Sequence, residues 1–300
     1  MNLNNHKILA IGVGLSLGCC AHASNPHDIF TFKEINDHKL QVRVQLPDGN
    51  SREQPCIIFY HAGGWTGGKP VKFDQQASYF IERGYVIIQP SYRLLSKNPD
   101  ANGQWESPKV CIEDARSAYR WVAENAENLR IDPKKIIVAG ASVGGHLAAA
   151  ISLIDDHNDQ NDNLSIPIEP AAMILINPVI YLCPDNYGYK RVQSNYSLYS
   201  PYNHVSRKAP PTLILSGSED RHIPPKLLWE FGEDYTSYGV TCEIFIYEGM
   251  PHSFYAPATG GKEAYDEVIY QIDRFSCSLG IITGKPTMKQ PQGMTLTTKQ

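Results

Sequence analysis

The chain has 300 residues, of which 42% are hydrophobic and 10% aromatic, with 27 Lys and Arg against 31 Asp and Glu. This composition is typical of a globular protein that can bury a sizeable core. A net charge of −4 without a cluster of basic residues argues against nucleic acid as a partner, because the phosphate backbone attracts concentrated positive charge.

The N-terminal segment has the order of features found in an export signal. Lys7 precedes a 13-residue apolar run, residues 8–20, and Ala21 and Ala23 supply an A-x-A cleavage site. We therefore predict a signal peptide over residues 1–23, cleaved after Ala23, and a secreted or periplasmic mature protein. The apolar run is too short to cross a bilayer, so an integral membrane protein is disfavoured.

The cysteines and acidic residues give no support for a metal site. Five cysteines follow the signal peptide, an odd number, so at least one thiol is unpaired. The chain contains no zinc-type C-x-x-C or H-E-x-x-H spacing. Residues 155–169 are acidic but lack the EF-hand glycine and terminal Glu, which favours a solvated loop over a calcium site. No metal and no organic cofactor is predicted.

From residue 39 onwards, short β-rich runs alternate with longer helical stretches. This alternation predicts one α/β domain, residues 24–280, with a mainly parallel central sheet and helices on both faces. The first run alternates polar and apolar residues, which suits an edge strand, and the later runs are almost continuously apolar, as in strands buried on both faces. The predicted strands are residues 39–46, 56–62, 85–92, 135–140, 172–179, 212–217 and 242–247. The predicted helices are residues 71–83, 109–129, 143–154, 225–238 and 262–279.

Two segments stand outside this alternation. Residues 181–209 insert a Tyr-rich stretch between two strands, and we interpret it either as a lid or binding element or as a packed surface loop. The tail, residues 281–300, has no acidic residue and no periodicity, which predicts a disordered segment.

The strongest catalytic signal is a G-x-S-x-G sequence that joins a predicted strand to a predicted helix. The strand at residues 135–140 leads into Gly140, Ser142 and Gly144, and a helical run follows. A strand that turns sharply into a helix forces the central residue into strained backbone angles, and glycines two residues to either side avoid clashes with the turn. Ser142 is therefore the candidate nucleophile, presented at the carboxyl edge of the sheet.

A second small-residue loop follows the strand at residues 56–62. It reads His61-Ala62-Gly63-Gly64-Trp65. The amides of Gly63 and Gly64, with that of Val143 directly after the nucleophile, are the candidate oxyanion hole. His61 is interpreted as a loop-organising residue because it precedes the serine on a different strand end. Trp65 is either part of a substrate-binding wall or a core residue.

The general base and its orienting acid follow from chain order. In a hydrolase of this type the order is Ser, then Asp or Glu, then His. His252 comes directly after the last predicted strand, at a strand end where ligand sites gather in α/β sheets. Asp220 is the preferred acid, with the adjacent Glu219 as the alternative. His146 lies one turn into the helix after Ser142 and is interpreted as structural.

These motifs resemble a family. The chain looks like a secreted α/β-hydrolase esterase of the hormone-sensitive-lipase-like and acetylxylan- and feruloyl-esterase-related group, over roughly residues 35–279. The loop at His61, the Ser91-Tyr92-Arg93-Leu94 stretch, the elbow and the Asp220 segment Gly217–Pro224 carry the resemblance. The absence of A-P-E after Leu94 favours the polysaccharide-esterase side of the group.

The resemblance implies a serine esterase that acts through an acyl-enzyme on acetyl or feruloyl groups of plant polysaccharides such as xylan, or on small-molecule esters. Val143 beside the nucleophile would narrow the acyl pocket and favours short acyl chains. Two other functions stay open. They are a serine exopeptidase with the same fold and a binding protein that has lost catalysis.

Overall fold

A computed structural model describes residues 27–49 and 53–297, so the predicted signal peptide lies outside the described residues. Eight strands form one sheet in the order β1-β2-β4-β3-β5-β6-β7-β8. The strands are β1 Asp28–Ile35, β2 His38–Gln45, β3 Gln54–Tyr60, β4 Val86–Pro90, β5 Ile131–Ala141, β6 Ala172–Ile176, β7 Thr212–Gly217 and β8 Cys242–Tyr247. The six strands from β3 to β8 pair in parallel, whereas β1 and β2 are antiparallel to their neighbours.

Helices cover both faces of the sheet, as predicted. They are α1 Asp74–Glu82, α2 Lys109–Glu124, α3 Val143–Leu153, α4 Tyr189–Val192, α5 Pro225–Ser237 and α6 Pro257–Ser278. Successive residues of a strand point to opposite faces of the sheet, so the central strands contribute side chains to two separate apolar clusters. One cluster packs the sheet against α2, α3 and α5, and the other packs it against α1 and α6. This two-sided burial explains why the central strands read as continuous apolar runs.

The antiparallel side of the sheet differs from the prediction. β2 was expected at an edge, but β1 pairs with it on the outside, so β1 and β8 are the edge strands. β1 and β2 form a hairpin whose turn residues, Asn36 and Asp37, both have positive φ angles of 48° and 62°. Paired positive φ values are typical of a two-residue hairpin turn. An Asn-Asp pair is a weaker turn signal than Asn-Gly, and β1 is largely exposed, so apolar periodicity did not identify it.

The C-terminal tail, expected to be disordered, packs against the domain up to residue 297. Ile281 is 5% exposed, and Met288 and Met294 pack against the α6 side of the core. The amide of Thr297 donates to the carbonyl of Ile246 at 2.8 Å, and the tail bridges β8 in antiparallel fashion. The tail therefore covers part of an edge strand that would otherwise present unpaired backbone groups.

The Tyr-rich insertion, residues 181–209, contains α4 and two short 3₁₀ segments. Tyr181 stacks on Tyr202 at a ring-centroid distance of 4.4 Å, and the Ser200 hydroxyl accepts from the Leu182 amide at 2.9 Å. These internal contacts favour the packed-loop interpretation. In the part of the chain that the structure describes, no helix is long and apolar enough to span a bilayer, and the cysteines carry free thiols.

The packing of the tail leads to a stability prediction. A chain that ends at Gly280 loses the burial of Ile281 and the contacts of Met288 and Met294, each side chain contributing about 1–3 kcal/mol. We expect its free energy of unfolding to fall by about 2–4 kcal/mol in urea denaturation relative to the chain ending at Gln300. A chain ending at Thr297 is the matched control. Equal unfolding midpoints for all three chains would contradict this packing.

Candidate active site

The candidate nucleophile lies on a strained turn between β5 and α3. Ser142 has φ 55° and ψ −120°, a backbone conformation that residues other than glycine rarely adopt. Gly140 and Gly144 permit this turn because, without a Cβ, they let neighbouring backbone segments approach closely. A Cβ on Gly140 would lie 2.3 Å from the carbonyl of Gly144, and one on Gly144 would lie 2.0 Å from the carbonyl oxygen of Tyr60 at the end of β3. The G-x-S-x-G spacing is thus a steric requirement of this turn.

Backbone hydrogen bonds hold the strained residue in place. The Ser142 amide donates to the carbonyl of Ile176 at the end of β6, at 2.9 Å. Its carbonyl accepts from the amide of His146 within α3 at 3.0 Å and from that of Val179 at 3.2 Å. These bonds tie the turn to both the helix and the neighbouring strand, so the hydroxyl is directed out of the carboxyl edge of the sheet.

The structure brings the three predicted triad residues together. His252, in the turn after β8, places Nε2 3.0 Å from the Ser142 Oγ and Nδ1 2.7 Å from the Asp220 Oδ2. With a carboxylate oxygen of Asp220 as the acceptor at Nδ1, the ring carries its proton on Nδ1, and Nε2 can accept from the serine hydroxyl. The arrangement can remove a proton from Ser142 and stabilise the imidazolium that results.

Between the two candidate acids, the geometry selects Asp220. Its side chain is fully buried, and its second oxygen accepts from the amides of His222 at 2.9 Å and Ile223 at 3.0 Å. These bonds satisfy a buried carboxylate and fix its orientation toward His252. Glu219 is exposed, and it is Asp220 that the structure places at hydrogen-bond distance from the histidine.

The candidate oxyanion donors come from two loops. Gly63 and Gly64 follow β3 with φ angles of 144° and 66°, and a Cβ on Gly63 would lie 2.1 Å from the carbonyl oxygen of Gly67. Only glycine can occupy this tight loop. Val143 begins α3, so its amide belongs to the first turn, which has no acceptor within the helix and lies at the positive end of the helix dipole. Gly63, Gly64 and Ser142 line one cavity.

His61 organises the first of these loops. It is buried, its Nδ1 lies 3.0 Å from the carbonyl of Ala62, and its ring stacks on Tyr92 at 4.2 Å. The Tyr92 hydroxyl also donates to the His61 carbonyl at 2.8 Å. Burial lowers the pKa of His61 to about 4, so the ring is uncharged at neutral pH. These contacts agree with the loop-organising interpretation of this histidine.

Trp65 packs in the core instead of facing the nucleophile. It is 1% exposed, its Nε1 donates to His146 Nδ1 at 3.3 Å, and its ring stacks on Tyr187. His146 in turn donates from Nε2 to the carbonyl of Tyr199 at 2.8 Å, and burial lowers its pKa to about 4. Trp65 does not line the cavity at Ser142 and borders only a neighbouring cavity around α4, and its near-complete burial favours core packing.

The cavity at Ser142 has a volume of about 530 Å³. Tyr187, from the Tyr-rich segment interpreted as a possible binding element, lines this cavity. Its walls also contain side chains that the sequence patterns did not identify, namely Thr66, Lys72, Lys97, Asn177, His222, Ser253 and Tyr255. Most of them lie on loops whose approach to the serine depends on tertiary packing, which local spacing does not encode.

Asn177 is the one of these residues that a sequence signal could have found. It is fully buried directly after β6, at the same sheet edge as the triad. Its φ angle is 36°, and its Nδ2 lies 3.2 Å from Nε2 of His252. Its Oδ1 has no hydrogen-bond partner among the described residues. A polar residue immediately after a buried strand at the carboxyl edge is typical of a ligand-facing position.

Comparison with known proteins identifies related hydrolase families and esterases. The BD-FAE family model matches residues 42–181, and the prolyl oligopeptidase family model matches residues 180–275. The structure superimposes on esterase 2 of Thermogutta terrifontis in its apo form with a TM-score of 0.79 and 30% identity, over 86% of this chain and 97% of that one. Structures of that esterase also include propionate-bound and butyrate-bound forms.

Two relatives identified by sequence are esterases as well. An ethyl acetate hydrolase of Pseudomonas putida is 26% identical over 79% of this chain and 78% of that protein. An acetylxylan esterase of Xylanibacter ruminicola is 25% identical over 75% of this chain and 46% of that protein. The chain matches only part of the length of three further relatives, 67% of one and 33% of each of the other two.

The fold, the carboxyl-edge site and the near-complete coverage of an esterase at 30% identity lead to one assignment. The chain belongs to the α/β-hydrolase esterases, a family of enzymes that hydrolyse carboxylic esters.

Proposed function

We propose that the protein is a serine carboxylesterase that removes short acyl groups, above all acetyl, from plant polysaccharides such as xylan. One observation carries the serine mechanism. The Ser142 Oγ, the His252 ring and the Asp220 carboxylate form a continuous hydrogen-bonded chain, with distances of 3.0 and 2.7 Å, whose exposed end lies in a cavity of about 530 Å³.

In this mechanism Ser142 attacks the ester carbonyl while His252 Nε2 takes the hydroxyl proton. Asp220 holds the imidazole in the required tautomer and stabilises its positive charge. The amides of Gly63, Gly64 and Val143 donate to the oxyanion of the tetrahedral intermediate. The alcohol leaves with the proton from His252, and a water molecule activated by the same histidine releases the acid from Ser142.

Val143 is fully buried in the apolar cluster directly beside Ser142 and does not line the cavity of about 530 Å³, so the support for short acyl chains comes from similar proteins. The names of similar proteins refer to ethyl acetate and acetylxylan, and one solved relative carries propionate or butyrate. We place feruloyl groups second, because these names and bound acids refer to short acyl groups. Export through the predicted signal peptide suits a polymeric substrate outside the cell.

A serine exopeptidase is the second candidate, because the prolyl oligopeptidase family model matches residues 180–275. A peptidase that recognises the free amino terminus of a peptide needs a carboxylate that pairs with the ammonium group of that terminus. The cavity at Ser142 is lined instead by Lys72 and Lys97, and no Asp or Glu of the described residues lines it. This charge distribution favours the esterase.

The first prediction concerns the nucleophile. For Ser142→Ala we expect kcat on p-nitrophenyl acetate to fall by at least about 10⁴-fold, because the covalent step is lost. Ser152→Ala removes a hydroxyl from the same helix, where it bonds the Ala148 carbonyl, and serves as the control. Unchanged hydrolysis by the Ser142 variant would exclude this mechanism and favour a binding protein.

The second prediction separates the two candidate acids. Asp220→Asn keeps the shape of the side chain but removes the charge that stabilises the imidazolium, so kcat should fall by about 10³–10⁴-fold. Glu219→Gln makes the same chemical change on the neighbouring exposed residue and should change kcat less than twofold, within about 0.4 kcal/mol. The reverse ranking in the same assay would refute the role of Asp220.

The third prediction concerns the substrate. We expect kcat/KM for p-nitrophenyl acetate and butyrate to exceed that for octanoate by at least about tenfold, equivalent to 1.4 kcal/mol of transition-state binding. Acetate release from acetylated xylan tests the polymer directly. Faster cleavage of octanoate than acetate by the unmodified protein would contradict the short-acyl assignment.

A further inference from the structure

A second cavity opens beside the one that holds the nucleophile. It has a volume of about 580 Å³ and is lined by the insertion around α4 together with the loops at Trp65 and Trp105. Four residues line both cavities, namely Gly64, Thr66, Lys97 and Tyr187. The two spaces are therefore adjacent, and a substrate with its ester at Ser142 can extend into the second one.

The walls of the two cavities are strongly positive although the chain carries a net charge of −4. Lys72 and Lys97 line the first cavity, and Lys97, Lys190 and Arg191 line the second. Among the described residues, Asp185 is the single carboxylate in either lining. Such a concentration of one charge sign in a cleft raises the local concentration of ligands with the opposite sign.

These cations are not neutralised by neighbouring side chains. Within residues 27–49 and 53–297, no carboxylate oxygen lies within ion-pair distance of the Lys72, Lys97 or Lys190 ammonium groups. The Arg191 guanidinium donates to the backbone carbonyls of Glu106 at 3.1 Å and Ser96 at 3.0 Å. Backbone carbonyls fix its position without cancelling its charge.

Trp105 positions two of the cations. The Lys190 ammonium lies 3.9 Å from the centroid of its ring, and the guanidinium carbon of Arg191 lies 5.0 Å from it. A cation held over an aromatic face loses part of its conformational freedom before any ligand arrives. The charge at this end of the second cavity is therefore preorganised, which lowers the entropic cost of binding an anion.

Aromatic surface accompanies the positive charge. Tyr187 separates the two cavities, with its ring stacked on Trp65 at 5.8 Å and edge-on to His222 at 5.4 Å. Tyr187 and Tyr189 are half-buried and both line the second cavity. Half-buried aromatic rings suit the faces of sugar rings, and ammonium groups suit a carboxylate. A uronic acid unit of a polysaccharide combines both features.

We propose that the second cavity binds a uronate unit of the polysaccharide that carries the ester, with Lys97 and Lys190 pairing with its carboxylate. This inference rests on the proposed esterase function and adds the class of alcohol that the enzyme prefers. In this proposal the anionic sugar belongs to the alcohol part of the ester and occupies the second cavity, which adjoins the first at Gly64, Thr66, Lys97 and Tyr187. An acidic acetylated polysaccharide is then a better substrate than a neutral one.

Binding to the Ser142→Ala protein tests this subsite without requiring hydrolysis. Titration calorimetry would compare a xylo-oligosaccharide bearing a glucuronate branch with the same oligosaccharide after enzymatic removal of that branch. At about 20 mM salt we expect the acidic ligand to bind about tenfold more tightly, and at about 0.5 M salt the difference should largely disappear because the charges are screened. Free glucuronate should bind much more weakly than the acidic oligosaccharide.

Two further variants in the same background locate the effect. Lys97→Gln combined with Lys190→Gln should remove the preference for the acidic oligosaccharide. Lys226→Gln, on an 84%-exposed side chain of α5 that lines neither cavity, should retain it. Equal affinity of the acidic and neutral ligands, or a preference that survives in the double variant, would overturn the proposal. If p-nitrophenyl acetate is not hydrolysed by the unmodified protein, the esterase proposal fails while this binding result still stands on its own.

Discussion

The active edge of the sheet depends on one close contact, the approach of the Ser142 turn to the end of β3. Gly144 lies so near the Tyr60 carbonyl that a Cβ would be only 2.0 Å from it, and this contact draws the start of α3 over the strand. The same Cβ would lie 2.8 Å from the carbonyl oxygen of His61, where the loop that carries Gly63 and Gly64 begins. The turn that carries the serine and the start of that loop are thus packed against each other.

Two histidines near the site differ from His252 in their surroundings. His61 and His146 are buried, and burial lowers the pKa of each to about 4, which leaves them as uncharged hydrogen-bonding supports. His252 differs because it faces a buried carboxylate and keeps 22% of its side chain exposed at the cavity. A positive charge that forms on its ring is stabilised by Asp220, whereas one on the other two rings would lack a counter-ion.

The parts of the site that could be predicted from sequence are those set by local sterics or by chain order. Ser142 follows from the glycine spacing, which is local, and His252 follows from its position after the last strand. Asp220 was preferred over Glu219 from its segment Gly217–Pro224, and the structure adds the burial and the hydrogen bond to His252 that distinguish the two adjacent carboxylates. From sequence, Trp65 could be either part of a substrate-binding wall or a core residue, because residue type alone does not show whether the side chain faces a cavity or the protein interior.

The features that escaped prediction are set by long-range packing. β1 is mostly exposed and gains its strand conformation from pairing with β2, so it lacks the apolar run that identifies the central strands. The tail has no periodicity, yet isolated apolar residues attach it to α6 and β8. The second cavity forms where α4 meets the loop at Trp105, two segments about eighty residues apart in sequence.

The most direct test of the central claim is covalent labelling of the nucleophile with the organophosphate paraoxon. The reaction would be monitored by the release of p-nitrophenolate, and the labelled protein would be analysed by intact-mass spectrometry and peptide mapping. We expect one equivalent of p-nitrophenolate per chain and one diethylphosphoryl group, located on Ser142, because only this hydroxyl is activated by His252. Absence of labelling, or labelling of Ser253 in the same cavity, would contradict the assignment of Ser142 as the nucleophile.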